Sequence, residues 1–236
     1  MLNKSLLLLL CCLIFGCITQ TDKKKEIALE EKGITINENI EWTRSWFVNT
    51  NDTILPKVLI IGDSHVERYY GIVAKNLESH ASCSKFTTSK SLGDPVFIKQ
   101  LELILKQYTF DIISFNNGLH GEDYAIEAYS KYVPIAYNLL KNNAKTSVIW
   151  VNSTAIRSKN NLNEFAPRNK QIIERNKYLS NFTKENNISL LDFYSKTAHN
   201  IDYYTNDGVH FNKEGVHIEA TLITKKITEA LNLNLE

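Results

Sequence analysis

The sequence has little cysteine, proline or glycine. It contains 4 Cys, 4 Pro and 9 Gly among 236 residues. This scarcity of proline and glycine excludes collagen-like fibrous proteins and argues against a long disordered region. Three cysteines lie within the first 17 residues, which leaves Cys83 as the single thiol of the remaining chain. One thiol cannot form an internal disulfide, so we expect a core of apolar side chains to hold the domain together, with Cys83 buried and inert.

The sequence also has no excess of one charge sign. Lys and Arg number 27 and Asp and Glu number 26, for a formal net charge of +1. This balance provides no basic surface for nucleic acid or for an anionic membrane, so we expect no nucleic-acid partner. Apolar residues make up 43% of the chain, which suffices for one core.

The N-terminus carries an uncharged apolar segment, residues 6–15, preceded by Lys4. A membrane-spanning helix needs about 20 apolar residues, so this segment is too short to span comfortably and is typical of a signal peptide. A polar, charged stretch follows up to residue 39, and its composition predicts a tether rather than part of a core.

The apolar segment ends in Ile14-Phe15-Gly16-Cys17, which resembles the lipobox of bacterial lipoprotein signal peptides. The resemblance implies cleavage before Cys17 and acylation of that cysteine, and several acyl chains anchor a protein stably. We therefore expect a signal peptide over residues 1–16, a lipidated N-terminus and tether over 17–39, and a domain over 40–236. The protein would be held at the cell envelope, with the membrane as partner through Cys17. An ordinary secretory signal without lipidation and an uncleaved anchor are the alternatives to a lipoprotein signal.

Strand-like and helix-like patterns alternate through the rest of the chain. Apolar runs predict strands over residues 58–61, 82–86, 111–115, 147–151 and 188–193. Helical periodicity predicts helices over residues 66–78, 96–106, 123–142, 164–186 and 213–231. This alternation predicts an α/β fold: a three-layer α/β/α sandwich around a five-stranded parallel sheet, with functional residues at the carboxyl ends of the strands. The aromatic residues Trp42, Trp46 and Phe47 precede the first strand, and we expect them to pack against the domain. A ligand-binding role for the two tryptophans is the alternative.

Two short motifs at opposite ends of this domain carry groups suited to catalysis. The first predicted strand runs into Gly62-Asp63-Ser64, a turn that would expose a serine hydroxyl. The loop before the last helix contains Asp207 and His210. A serine hydroxyl is nearly inert until a neighbouring base takes its proton, and a histidine oriented by a carboxylate is such a base. Either motif alone is also compatible with a plain turn or a solvated loop pair.

Together the two motifs resemble those of the SGNH (GDSL-like) hydrolase family, from about residue 58 to the C-terminus. The resemblance implies a flavodoxin-like sheet, Ser64 as nucleophile, His210 as general base and then acid, and Asp207 as the residue that supports His210. It implies neither a metal nor a cofactor, and the sequence contains no metal-ligand spacing of a known kind.

The family's oxyanion hole uses the N–H of the nucleophile, a glycine N–H and an asparagine side chain. Here the resemblance points to the N–H groups of Ser64 and Gly93. The third block departs from the family pattern, because its glycine-based alignment places His120 where the asparagine is expected. Asn116 or Asn117 is the alternative third donor. Arg157, after the fourth strand, is a candidate contact for a polar substrate.

These residues predict a serine esterase that removes short acyl groups, acetyl above all, from a carbohydrate. No extra hydrophobic segment is present to shelter a fatty chain, and an envelope anchor favours extracellular glycans. An acyltransferase with the same triad and a non-catalytic glycan-binding lipoprotein are the two alternatives.

Overall fold

A computed structural model describes residues 36–233. The strands in this part of the chain are β1 (Thr43–Trp46), β2 (Lys57–Gly62), β3 (Ser82–Thr88), β4 (Phe110–Asn116), β5 (Ala144–Val151), β6 (Arg157–Ser158), β7 (Asn161–Phe165) and β8 (Ser189–Leu191). The helices are α1 (Ser64–Asn76), α2 (Pro95–Gln107), α3 (Ile126–Asn143), α4 (Asn169–Glu185), α5 (Phe193–Thr197) and α6 (Lys213–Ala230), with a 3-10 turn at Ile201–Tyr203.

The main sheet has the strand order β1-β3-β2-β4-β5-β8. Strands β3, β2, β4, β5 and β8 run parallel, as predicted, and form the centre of an α/β fold. Strand β2 is buried along almost its whole length, which explains its continuous apolar sequence. Helices α1 and α6 cover one face of the sheet, and α2, α3 and α4 cover the other.

The sheet has one strand more than predicted. Residues 43–46 form β1, which pairs antiparallel with β3 at the edge of the sheet. We expected this aromatic segment to pack against the domain, and Phe47 does stack on Tyr108, with ring centroids 4.3 Å apart. Trp46, however, is 62% exposed. The strand was missed because four exposed residues at a sheet edge give no alternating apolar pattern.

The fourth long helix begins at Asn169, not at residue 164 as predicted. Residues 157–165 instead form a hairpin, in which β6 and β7 pair antiparallel. The hairpin closes on a side-chain contact, since the Arg157 guanidinium lies 4.6 Å from the centre of the Phe165 ring. Within residues 36–233, no helix combines the length and the apolar character needed to cross a bilayer.

Candidate functional site

Ser64 is the first residue of α1 and directly follows the Gly62-Asp63 turn at the carboxyl end of β2. The turn requires glycine, because a Cβ on Gly62 would lie 2.4 Å from the Val66 side chain. Asp63 caps the helix by accepting a hydrogen bond from the His65 N–H at 2.9 Å. As the first helical residue, Ser64 keeps a backbone N–H with no partner inside the helix.

The loop that carries Asp207 and His210 lies between the 3-10 turn and α6. Gly208 adopts φ +73, and a Cβ there would lie 2.1 Å from the Arg157 carbonyl oxygen, so this turn also requires glycine. One carboxylate oxygen of Asp207 accepts hydrogen bonds from the N–H groups of Val209 and His210, both at 2.9 Å. These bonds fix the carboxylate relative to the imidazole.

The fold brings Ser64, His210 and Asp207 into one hydrogen-bonded row. The Ser64 Oγ lies 2.8 Å from His210 Nε2, and His210 Nδ1 lies 2.7 Å from Asp207 Oδ2. Burial raises the pKa of Asp207, but hydrogen bonds from His210, from the two loop N–H groups and from Thr205 outweigh it and hold that pKa well below its usual range. The carboxylate therefore stays ionised and accepts from Nδ1–H, which leaves Nε2 free to accept the serine proton.

A second histidine, His65, lies directly behind this row and was not singled out in the sequence. Its Nδ1 is 2.8 Å from Glu219 Oε1 on α6, and its Nε2 is 3.2 Å from the Val209 carbonyl oxygen. Both ring nitrogens face oxygen atoms, and a protonated ring can donate to an ionised Glu219 on one side and to the Val209 carbonyl on the other. Although burial lowers the pKa of His65, the charge of Glu219 raises it to about 9. The ring stacks on His210 with centroids 5.9 Å apart.

The two asparagines considered for the oxyanion hole already use their side-chain amides in other hydrogen bonds. Asn116 donates its amide N–H groups to the carbonyl oxygens of Val151 and Asn152, both at 3.0 Å. The Asn117 amide donates to the Lys90 carbonyl at 2.9 Å and accepts from the Leu92 N–H at 2.7 Å. Asn117 thus joins the loop after β3 to the loop after β4. These contacts argue against both side chains as the third donor.

The hydrogen bonds of His120 to Glu38 argue against its predicted role as the third oxyanion donor. Its Nδ1 lies 2.9 and 3.0 Å from the two carboxylate oxygens of Glu38, and must donate a proton to them. The Nε2 of a neutral ring then carries no proton and cannot donate to an oxyanion. The Gly93 N–H faces Ser91 Oγ at a long 3.3 Å, a local bond within its turn.

Glu38 belongs to the stretch predicted as a tether, yet it contacts the domain. It accepts the Gly121 N–H at 3.0 Å in addition to the His120 proton, and the Ile36 N–H donates to the Tyr124 hydroxyl at 2.7 Å. The folded domain therefore includes residues from Ile36 onward. The predicted signal peptide, Cys17 and the rest of the tether lie outside the described residues.

Two buried arginines hold the loops around the site. Neither of them lines the cavity next to Ser64 and His210. Arg175 is fully buried and donates four hydrogen bonds to the carbonyls of the loop after β4, at Gly118, His120, Gly121 and Tyr124. Arg157 donates to the Leu162 and Ala198 carbonyls. The backbone N–H of Arg157 donates to the Gly208 carbonyl at 2.7 Å. The suggestion that Arg157 contacts substrate is therefore wrong.

An open cavity of about 210 Å³ lies over the row and is lined by Trp42, Arg44, Ser64, Glu67, Arg68 and His210. No group of three or more His, Cys, Asp or Glu side chains able to hold a metal ion occurs in the described part of the chain. Cys83 is buried away from this site, and burial raises the pKa of its thiol to about 12.

No protein-family model matches the sequence, and no curated protein is significantly similar to it. Solved structures are similar in fold. A member of the lipolytic protein G-D-S-L family from Veillonella parvula has a TM-score of 0.59 at 18% identity, covering 73% of this chain and 98% of that one. A GDSL-like lipase from Bacteroides thetaiotaomicron has a TM-score of 0.52 at 17% identity, covering 74% and 89%.

The acetylxylan esterase Axe2 from Geobacillus stearothermophilus has a TM-score of 0.56 at 12% identity, covering 76% of this chain and 95% of that one. Identities this low support a common fold and not a common substrate. The predicted fold class is confirmed: this chain has the α/β fold of the GDSL and SGNH hydrolases.

Proposed function

We propose that this protein is a serine esterase that releases short acyl groups, acetyl above all, from a carbohydrate. The observation that carries the proposal is the row from Ser64 through His210 to Asp207, with donor–acceptor distances of 2.8 and 2.7 Å, at the carboxyl edge of the sheet. A nucleophile within hydrogen-bond reach of a base, itself oriented by a carboxylate, is the arrangement that acyl transfer through a serine requires.

In the first half of the reaction, Ser64 Oγ attacks the ester carbonyl carbon while His210 Nε2 takes the hydroxyl proton. The tetrahedral intermediate collapses when the bond to the leaving alcohol breaks, and His210 returns the proton to that alcohol. In the second half, His210 takes a proton from water, the resulting hydroxide attacks the acyl-enzyme, and Ser64 regains its proton as the acid leaves. The ionised Asp207 stabilises the imidazolium in both halves.

The negative oxygen of each intermediate needs donors that are already in place. We propose the Ser64 N–H as the first, because it is free and lies at the positive end of the α1 dipole. The Gly93 N–H is the proposed second donor, since its long bond to Ser91 Oγ, 3.3 Å, is weak enough to exchange.

The size of the pocket and one neighbour in fold support the proposed substrate class. Pockets that bury a drug-sized ligand measure roughly 300–1,000 Å³, and the cavity over Ser64 measures only about 210 Å³. Such a pocket suits a short acyl group and part of a sugar better than a fatty chain. One structural neighbour is an acetylxylan esterase. An anchor on Cys17 at the cell envelope, proposed from the sequence, would place the enzyme among extracellular glycans.

The test is hydrolysis of 4-nitrophenyl acetate and of an acetylated xylo-oligosaccharide by the wild type and by two site variants. We expect Ser64→Ala to lose measurable turnover and Asp207→Asn to lose about 10³–10⁴ in kcat. The matched controls are Ser180→Ala and Asp202→Asn, both at exposed positions outside the site.

Wild-type protein that neither cleaves these esters nor is labelled at Ser64 by an organophosphonate would overturn the proposal. Acetyl found on an added sugar acceptor instead of in free acetate would identify a transferase.

A further inference from the structure

One wall of the cavity over Ser64 is built by Trp42, from the N-terminal segment that leads into β1. Trp42 and Arg44 line this cavity together with Ser64 and His210. The indole of Trp42 is only partly buried. An aromatic ring that is left half exposed beside a nucleophile has apolar surface available for a ligand.

The position of Trp42 is fixed on several sides. The backbone N–H of Trp42 donates to Ser89 Oγ at 2.9 Å. Its backbone carbonyl oxygen accepts from the Ser89 N–H and the Thr88 hydroxyl, both at 3.0 Å. The indole meets the His120 ring edge-on, with centroids 6.2 Å apart. The indole is therefore supported in two ways. The hydrogen bonds to Thr88 and Ser89 fix the Trp42 backbone, and the His120 ring, which Glu38 binds, contacts the indole itself. A ring held in this way loses little entropy when it binds a ligand.

Arg68 adds free hydrogen-bond donors to the lining of the same cavity. It lies four residues after Ser64, and therefore on the same face of α1. Its exposed guanidinium makes no hydrogen bond to any residue between 36 and 233. Arg44, by contrast, is paired with Glu67 at 3.3 Å, and Glu67 is further bound by Lys85 at 2.6 Å. Arg68 is therefore the arginine of this cavity that has no hydrogen-bond partner among residues 36–233, so all of its donors are available to a ligand.

We propose that Trp42 and Arg68 form a subsite for one sugar ring of the substrate beside Ser64. The face of a pyranose ring presents C–H groups that pack on an indole, while its rim presents hydroxyl oxygens that accept from a guanidinium. The subsite would explain why the proposed esterase acts on a carbohydrate. Its role in the reaction rests on that proposed function. Its ability to bind sugar does not depend on catalysis.

Binding and hydrolysis test the subsite separately. Binding of acetylated xylohexaose and acetylated mannohexaose is measured by titration calorimetry on the Ser64→Ala protein. The comparison is with Ser64→Ala carrying Trp42→Ala, Trp42→Phe, Arg68→Gln or Trp46→Ala. Trp46 is the matched control, because it lies on the same edge segment, is 62% exposed and does not line the cavity.

We expect Trp42→Ala to weaken binding about tenfold, Trp42→Phe and Arg68→Gln to weaken it less, and Trp46→Ala to leave it within twofold. With Ser64 restored, kcat/KM on the oligosaccharides should fall in the same order, mainly through KM. Circular dichroism melting checks that each variant is folded.

No binding of either oligosaccharide, or equal effects of Trp42→Ala and Trp46→Ala, would overturn the subsite. Sugar binding that depends on Trp42 in a protein without esterase activity would retain the subsite and overturn the proposed function instead.

Discussion

His65 and His210 show how partners decide the state of a side chain. Their rings stack with centroids 5.9 Å apart, yet each has different neighbours. His210 has the Asp207 carboxylate on one nitrogen and the Ser64 hydroxyl on the other, so its neutral form can accept a proton from the hydroxyl. His65 has the Glu219 carboxylate on one nitrogen and the Val209 carbonyl on the other, so its protonated form fits. We infer that the first is suited to proton transfer and the second to holding structure.

The His65–Glu219 pair predicts a pH-dependent stability. The pKa of His65 is raised from 6.5 to about 9 in the folded protein, so folding favours the protonated ring. The stabilisation is fully present below pH 6.5 and is lost as the pH rises through about 9. Glu219, Asp63, Tyr69 and His210 are the titratable groups close to this ring. Urea unfolding should give a free energy of unfolding that falls between pH 6.5 and 9.5, by about 1–3 kcal/mol.

In Glu219→Gln this fall should largely disappear, because the neutral amide no longer favours the imidazolium. Glu229→Gln, at an exposed position on the same helix, is the control and should keep the wild-type slope. A wild-type curve that is flat over this range would contradict the ion pair.

At the scale of elements, the loop after β4 is held by a side chain from α4. The four carbonyls that accept from Arg175 all lie within residues 118–124. Arg175→Met keeps the apolar volume but removes the donors of the Gly118 and His120 carbonyls, at a cost of about 1–3 kcal/mol each. The Gly121 and Tyr124 carbonyls keep a second donor, from the Tyr124 N–H and the Gln171 amide. We expect the free energy of unfolding to fall by roughly 3 kcal/mol or more. The measurement is chemical denaturation.

Arg175→Lys should recover part of the loss, since an ammonium group retains some of the donors. Lys170→Met, at an exposed position of α4, should change stability by no more than about 0.5 kcal/mol. Equal stabilities of the Arg175→Met and Lys170→Met proteins would show that the loop does not depend on this arginine.

The elements also show what the sequence could and could not predict. The parallel strands and the turn at Ser64 follow from local signals: continuous apolar runs, a required glycine and a helix cap. The pairing of His65 with Glu219 joins residues 154 positions apart, and no local pattern indicates it. The four bonds from Arg175 and the contact of Glu38 with His120 are hidden for the same reason, because each is created by tertiary packing.

At the scale of the whole molecule, the segments that carry the proposed nucleophile and the proposed base are joined twice. Ser64 bonds to His210, and the neighbouring residue in each segment completes a second bond, from His65 to the Val209 carbonyl at 3.2 Å. The second bond lies in the interior, where Glu219 anchors it to α6. The two segments therefore cannot separate unless the packing of α1 against α6 also gives way.

That double connection would make the proposed catalysis depend on the packing of the whole domain. Many enzymes lose activity on heating before they unfold, because a mobile part of the site loosens first. Here we expect the esterase rate and the circular dichroism signal to collapse within a few degrees of one another. In Glu219→Gln the rate should fail first. The proposed esterase would therefore lose its activity only together with its fold.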